Sequence, residues 1–135
     1  MAFPMQYLLD TNAWIWLFSE PERINPHVRN LLLREPCVAL SPMSVIEVAQ
    51  KAEKGRLVFK WALEEWVCSA LSENEVTLLP ITSQIALRAY QWPFDFHGDP
   101  ADRVIAATAV VNNLILGTSD EKLLARVDLQ TLSTR

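Results

Sequence analysis

The chain is poor in the residues that usually build metal or redox centres from sulfur and nitrogen. It has two cysteines, Cys37 and Cys68, and two histidines, His27 and His97, none at Cys-x-x-Cys or zinc-ligand spacing. That excludes a dithiol redox pair and argues against structural zinc, so the cysteines are expected to be packed thiols. No apolar run approaches bilayer length, and the first ten residues lack the basic start and cleavage site of a secretory leader. Repeats, low-complexity tracts and linkers are missing as well. Excess positive charge is also lacking: the net charge is −4, which excludes nucleic-acid binding through bulk electrostatics and requires any such contact to be local. The expectation is a soluble cytoplasmic protein with no membrane partner, its 135 residues forming a single domain, 1–135.

Half the residues are hydrophobic, and they fall in short strand-like runs at about 5–9, 37–41, 76–80, 114–118 and 129–133. Helical patterns separate these runs. Such alternation predicts an α/β fold with a parallel sheet covered on both faces. Thr11 to Phe18 reads as a mostly buried helix, and a second follows at about 27–35 after the breaks at Pro21 and Pro26. Ser41-Pro42 reads as a cap followed by proline in the first turn of a helix reaching Gly55. On that helix Val45, Val48, Ala49 and Ala52 share one face, and Ser44, Glu47, Lys51 and Lys54 the other. Helices at about 60–74 and 82–91 come next, then a loop from Pro93 to Gly98. Asp99-Pro100 caps a final long helix, apolar almost all round from Val104 to Val111.

Acids stand where the apolar runs stop. Asp10 closes the first run, Glu47 follows the second, Asp102 opens the apolar helix and Asp120 follows Thr118-Ser119. Open α/β sheets bind ligands outside the carboxyl ends of their strands, so these acids are candidates for one divalent-cation site of the kind that hydrolyses phosphodiesters. Thr11 and Asn12 can steady Asp10 or a bound water, and Ser44 can support Glu47 from one turn away. Arg103 can balance local charge or touch a phosphate.

Each residue also has a plainer role. Asp10, Asp99 and Asp120 suit helix caps, Asp102 suits the positive end of a helix dipole, and Glu47 suits an i,i+4 pair with Lys51. Lys51, Lys54, Arg56 and Lys60 suit a solvated face as well as a phosphate backbone. Trp14, Trp16, Trp61 and Trp66 suit a core, or a groove for a partner. Two other functions are therefore weighed. One is an interaction protein working through its tryptophan-rich helices. The other is a phosphoaspartyl enzyme with Asp10 as nucleophile, disfavoured because Asn12 stands where a second aspartate belongs. A Ser-His-Asp triad lacks a suitably spaced histidine.

Taken together, four segments resemble the PIN-domain family, most closely its VapC-type toxins: Leu8-Leu9-Asp10-Thr11-Asn12-Ala13-Trp14; Ser41-Pro42-Met43-Ser44-Val45-Ile46-Glu47-Val48-Ala49-Gln50-Lys51; His97-Gly98-Asp99-Pro100-Ala101-Asp102-Arg103-Val104-Ile105-Ala106-Ala107; and Thr118-Ser119-Asp120. The resemblance runs through essentially the whole chain, in order. It implies a three-layer α/β/α sandwich with a mostly parallel sheet of four or five strands. It implies a Mg²⁺- or Mn²⁺-dependent ribonuclease, usually dimeric and inhibited by a cognate antitoxin protein. Asp10, Glu47 and Asp102 match the family's three defining acids and Asp120 its variable fourth. Asp99 belongs to an Asp-Pro pair typical of one toxin subgroup, which does not make it a ligand. Ala101, where that subgroup often has an aromatic, and the short sequence after Asp120 leave substrate choice open.

Overall fold

A computed structural model describes residues 5–55, 62–73, 75–92, 96 and 98–135. The strands are β1 (Tyr7–Leu9), β2 (Val38–Leu40), β3 (Val76–Leu78), β4 (Ile115–Thr118) and β5 (Thr131–Ser133). They form one sheet in the order β3-β2-β1-β4-β5, and every pairing is parallel. The helices are α1 (Thr11–Ser19), α2 (Pro26–Arg34), α3 (Pro42–Glu53), α4 (Leu63–Ser72), α5 (Ser83–Ala89), α6 (Pro100–Val111) and α7 (Glu121–Leu124).

Strand alternation sorts the core into two layers. Leu8, Ala39 and Leu116 point to one face, against Ile85 and Ala89 of α5, Ile105 and Ala109 of α6 and Leu123 of α7. Tyr7, Leu9, Val38 and Leu40 point to the other, against Trp14 and Leu17 of α1, Leu32 of α2, Val48 of α3 and Trp66 and Ala70 of α4. The α/β/α sandwich follows, with five strands.

The strand order also locates the site. From β1 the chain steps outward through β2 to β3, then crosses back to lay β4 against the other side of β1. Connections therefore diverge at the carboxyl ends of β1 and β4, the place where an open parallel sheet leaves a crevice. Helix α3, entered from β2, packs Met43 on one core and Val45 and Val48 on the other, which sets it at this same edge.

Local signals fix the helix starts. Asp10, Asn25, Ser41, Thr82, Asp99 and Asp120 each accept a backbone N–H of the helix that follows, and Pro26, Pro42 and Pro100 occupy first-turn positions. The elements are shorter than the sequence pattern suggests: the fifth strand begins at Thr131 rather than 129, and α5 ends at Ala89 rather than 91. Of the helix expected at 60–74, residues 63–72 are helical, while residues 60, 61 and 74 lie outside the described residues, as does His97.

Two expectations about burial need correcting, and a third, the tryptophans as core residues, holds for Trp14 and Trp66. Ala49 is exposed on α3 whereas Ser44 is fully buried, so the apolar face is partly turned out and the polar stripe partly turned in. Cys68 is exposed rather than packed. Trp14 and Trp66 are core residues, their rings meeting edge to face at 5.2 Å and their indole N–H groups donating to Ala70 O and Ser19 Oγ. They are therefore not available to line a partner groove.

Candidate active site

Asp10 leaves β1 with extended backbone and turns the chain into α1. Its Oδ1 accepts the Ala13 N–H at 2.8 Å, and its Oδ2 accepts the Thr118 hydroxyl at 2.6 Å. The cap role and the site role thus coexist in one side chain. The second bond crosses the divergence point of the sheet, from the end of β4 to the end of β1. Thr118 was not anticipated from the sequence as a site residue; a polar, fully buried residue closing an apolar strand is the signal that marks it.

Glu47 is placed from α3. Thr11, first residue of α1, hydrogen-bonds its carboxylate, and Thr11 Oγ1 also lies 3.0 Å from Ser44 Oγ. A threonine hydroxyl has one proton. Given to the carboxylate, it leaves the Thr11 oxygen to accept from Ser44, which explains why Ser44 is buried and not outward. Ser44 acts behind Glu47 rather than facing the crevice.

Asp10, Glu47, Asp99, Asp102 and Asp120 line one crevice of about 250 Å³, with Thr11, Asn12, Lys51 and Ser119 completing its wall. Asp99 and Asp120 cap α6 and α7 through Oδ1. Asp102 follows one turn into α6. Arg103, one residue on and about 100° further round the helix, points elsewhere: its guanidinium donates to Ala89 O and Phe96 O and lies over the Tyr90 and Phe96 rings. Its role is to pin α6 to α5, not to meet a phosphate. Lys51 Nζ donates to Asn12 Oδ1 at 3.3 Å. Arg56 and Lys60 of the expected basic cluster lie outside the described residues.

The electrostatics are those of a charge held against its preference. Burial pushes the Asp10 carboxyl up to about 6, the Thr118 and Ala13 hydrogen bonds oppose that, and the charges of Asp102 and Glu47 push it further up. Burial likewise raises Glu47, opposed by Thr11, with Asp102 and Asp99 adding repulsion and Lys51 relieving some of it. A cation in the crevice would reverse this penalty. Among the described residues no group of three or more His, Cys, Asp or Glu side chains is set to hold an ion unaided. The donor set nonetheless fits a hard ion, because it offers only carboxylate and hydroxyl oxygen, and Mg²⁺ is commonly bound by one or two carboxylates with water filling the remaining positions.

A family model described as PIN domain matches residues 7–129. The chain belongs to the PIN-domain family. This PIN domain is 33% identical over 116 residues to Ribonuclease VapC22 of Mycobacterium tuberculosis (strain ATCC 25618 / H37Rv), a match covering 86% of this chain and 88% of that protein. Among solved structures it is similar to VapBC2 from Rickettsia felis bound to a DNA fragment from their promoter, with a TM-score of 0.74 and 16% identity over 97% of this chain and 100% of the other. It is also similar to VapBC-1 from nontypeable Haemophilus influenzae, with a TM-score of 0.68 and 25% identity over 96% and 98% of the two chains. The five-stranded parallel sheet with helices on both faces matches the fold of these structures over nearly the whole chain.

Proposed function

We propose that this PIN domain is a metal-dependent endoribonuclease and the toxin of a toxin–antitoxin pair, hydrolysing RNA phosphodiesters with Mg²⁺ or Mn²⁺ held by Asp10 and Asp102, with Glu47 and Asp120 completing the shell directly or through water. The observation that carries the reading is the lining of one crevice by these four acids, drawn from four separate elements, at the divergence point of the sheet. The relationship to Ribonuclease VapC22 supports RNA as substrate, and the likeness to VapBC structures supports an antitoxin partner. A homodimer and a cytoplasmic location belong to the same proposal. Among the described residues no helix is long and apolar enough to cross a membrane.

The chemistry such a cation supplies is activation of a water for in-line attack on phosphorus and neutralisation of charge on the phosphate. The chain's part is positioning. Thr118 and the Ala13 N–H orient Asp10 from two sides, and Thr11 orients Glu47. Asp102 and Asp120 face them from α6 and the start of α7, so the acids are held by rigid elements rather than by a loose loop. Asp99, already engaged as a cap and more exposed, shapes the rim. With both oxygens of Asp10 accepting hydrogen bonds, a nucleophilic role for it is disfavoured. The placement of Trp14 and Trp66 in the core likewise disfavours a purely tryptophan-mediated binding role.

The test is to incubate the purified chain, separated from any partner, with total cellular RNA and map the ends produced. Cleavage is expected with Mg²⁺ or Mn²⁺, and loss of cleavage with a chelator or in Asp102→Asn. Equal cleavage by the native chain and Asp102→Asn would refute the assignment.

A further inference from the structure

The acid crevice opens into a second, wider recess of about 710 Å³, and the two share Asp99, Asp102, Ser119 and Asp120 as wall. They form one continuous groove with the acids in the middle. Lys51 stands in the wall on the α3 side, and Lys122 in the wall on the α7 side.

Among the described residues the two lysines differ in kind from Arg135, a third cation in the groove wall. Arg135 Nη1 pairs with Glu121 at 3.0 Å and so spends its charge on a carboxylate. Among the described residues no acid forms a salt bridge with Lys51 or Lys122. Lys51 stands near Glu47, one turn before it, but forms no salt bridge with it: Thr11 hydrogen-bonds Glu47 Oε1, and the Lys51 ammonium donates to the neutral amide oxygen of Asn12. An amide fixes the position of an ammonium group without cancelling its charge. Lys122 is exposed, its backbone N–H tied to Asp120 Oδ1, so its place beside the acids is set by the same cap that sets Asp120.

A polyanion entering a groove lined with acids is repelled unless cations flank them. Resting on the ribonuclease reading, we propose that Lys51 and Lys122 are phosphate contacts on either side of the acid crevice, so that the RNA backbone crosses the groove from one to the other.

The test measures binding apart from cleavage. In an Asp102→Asn background with Mg²⁺, the affinity for a fluorescent single-stranded RNA oligonucleotide is followed by anisotropy across a salt series. Each phosphate contact removed should lower the slope of log affinity against log salt by about 0.7. That drop is expected for Lys51→Met and again for Lys122→Met, adding in the double variant, with Lys51→Arg restoring the slope. Lys54→Met, a change at the end cap of the same helix and outside both recesses, should leave it unaltered, and melting curves confirm that each variant is folded.

Unchanged slopes, a drop in only one of the two lysine variants, or an equal drop in Lys54→Met would overturn the track. The two proposals separate cleanly. A native chain that leaves RNA intact while both slopes fall sinks the ribonuclease and keeps the track. Cleavage by a native chain whose lysine variants keep their slopes does the reverse.

Discussion

Two junctions at the same edge of the sheet solve the same local problem differently. β1 and β2 are each three buried apolar residues, and each passes directly into a helix through a buried capping side chain. At the β2–α3 junction the cap is Ser41, whose hydroxyl accepts the Met43 N–H at 3.1 Å. At the β1–α1 junction it is Asp10, which accepts the Ala13 N–H at 2.8 Å. Serine and aspartate cap about equally well. Capping therefore explains the oxygen at position 10 but not the charge, and the charge is costly there, as its carboxyl raised to about 6 attests. A buried acid that a neutral residue could replace for structural purposes marks where chemistry belongs.

Converting one junction into the other gives the largest expected effect. Asp10→Ser should keep α1 capped and the chain folded while RNA cleavage falls on the order of 10³-fold, the scale of losing a principal electrostatic group in an active site. A variant that folds and still cleaves within tenfold of the native rate would put the two junctions on the same footing.

The next effect is on stability. Between the ordinary carboxylate value and about 6, folded Asp10 still holds a proton that the unfolded chain has released. Raising the pH through that window therefore favours unfolding of the metal-free chain, by about 3 kcal/mol for a shift of roughly two pH units. Glu47, raised too, acts in the same direction. Urea denaturation in chelator from pH 4 to 7 should show this decline, Asp10→Asn should flatten much of it, and Mg²⁺ should offset it in the native chain. Ser41→Ala should instead lower stability by about 1 kcal/mol at every pH. A native profile that is level or rises would contradict the burial argument.

A subtler change sharpens the comparison further, since Ser41 has no counterpart to the Thr118 bond. Thr118→Val keeps the shape of β4's end but removes the hydroxyl that orients Asp10. Cleavage should fall about 10- to 100-fold, as for partners that orient metal-binding side chains, and the acid limb of the pH–rate profile should move to higher pH. A fall in rate with an unmoved pH profile would assign Thr118 to packing alone.

Much of the fold was legible because the decisive signals are local. Proline after a capping residue at Ser41-Pro42 and Asp99-Pro100 set helix starts, and the alternation of short apolar runs with helices gave the parallel sheet. Asp10, Asp102 and Asp120 were legible for the same reason, as residues closing strands or opening helices, and Glu47 by its place on the helix that follows the second strand. What escaped is what depends on a distant partner. Ser44 is buried because Thr11, from another helix, accepts it, and helical periodicity alone assigns it to the outside. Arg103 turns from the acids because Ala89, Tyr90 and Phe96 gather its guanidinium on another side of α6. Thr118 acquires meaning only once the strand order is known to lay β4 beside β1.

That last contact joins side chains 108 positions apart. During synthesis Asp10 leaves the ribosome early, yet the group that orients it, and the strand that carries that group into place, are made more than a hundred residues later. Closing so large a loop depends on a late, non-local step. Assembly of the acid crevice is thereby deferred until the sheet is complete, and a partly made chain carries its acids without their alignment.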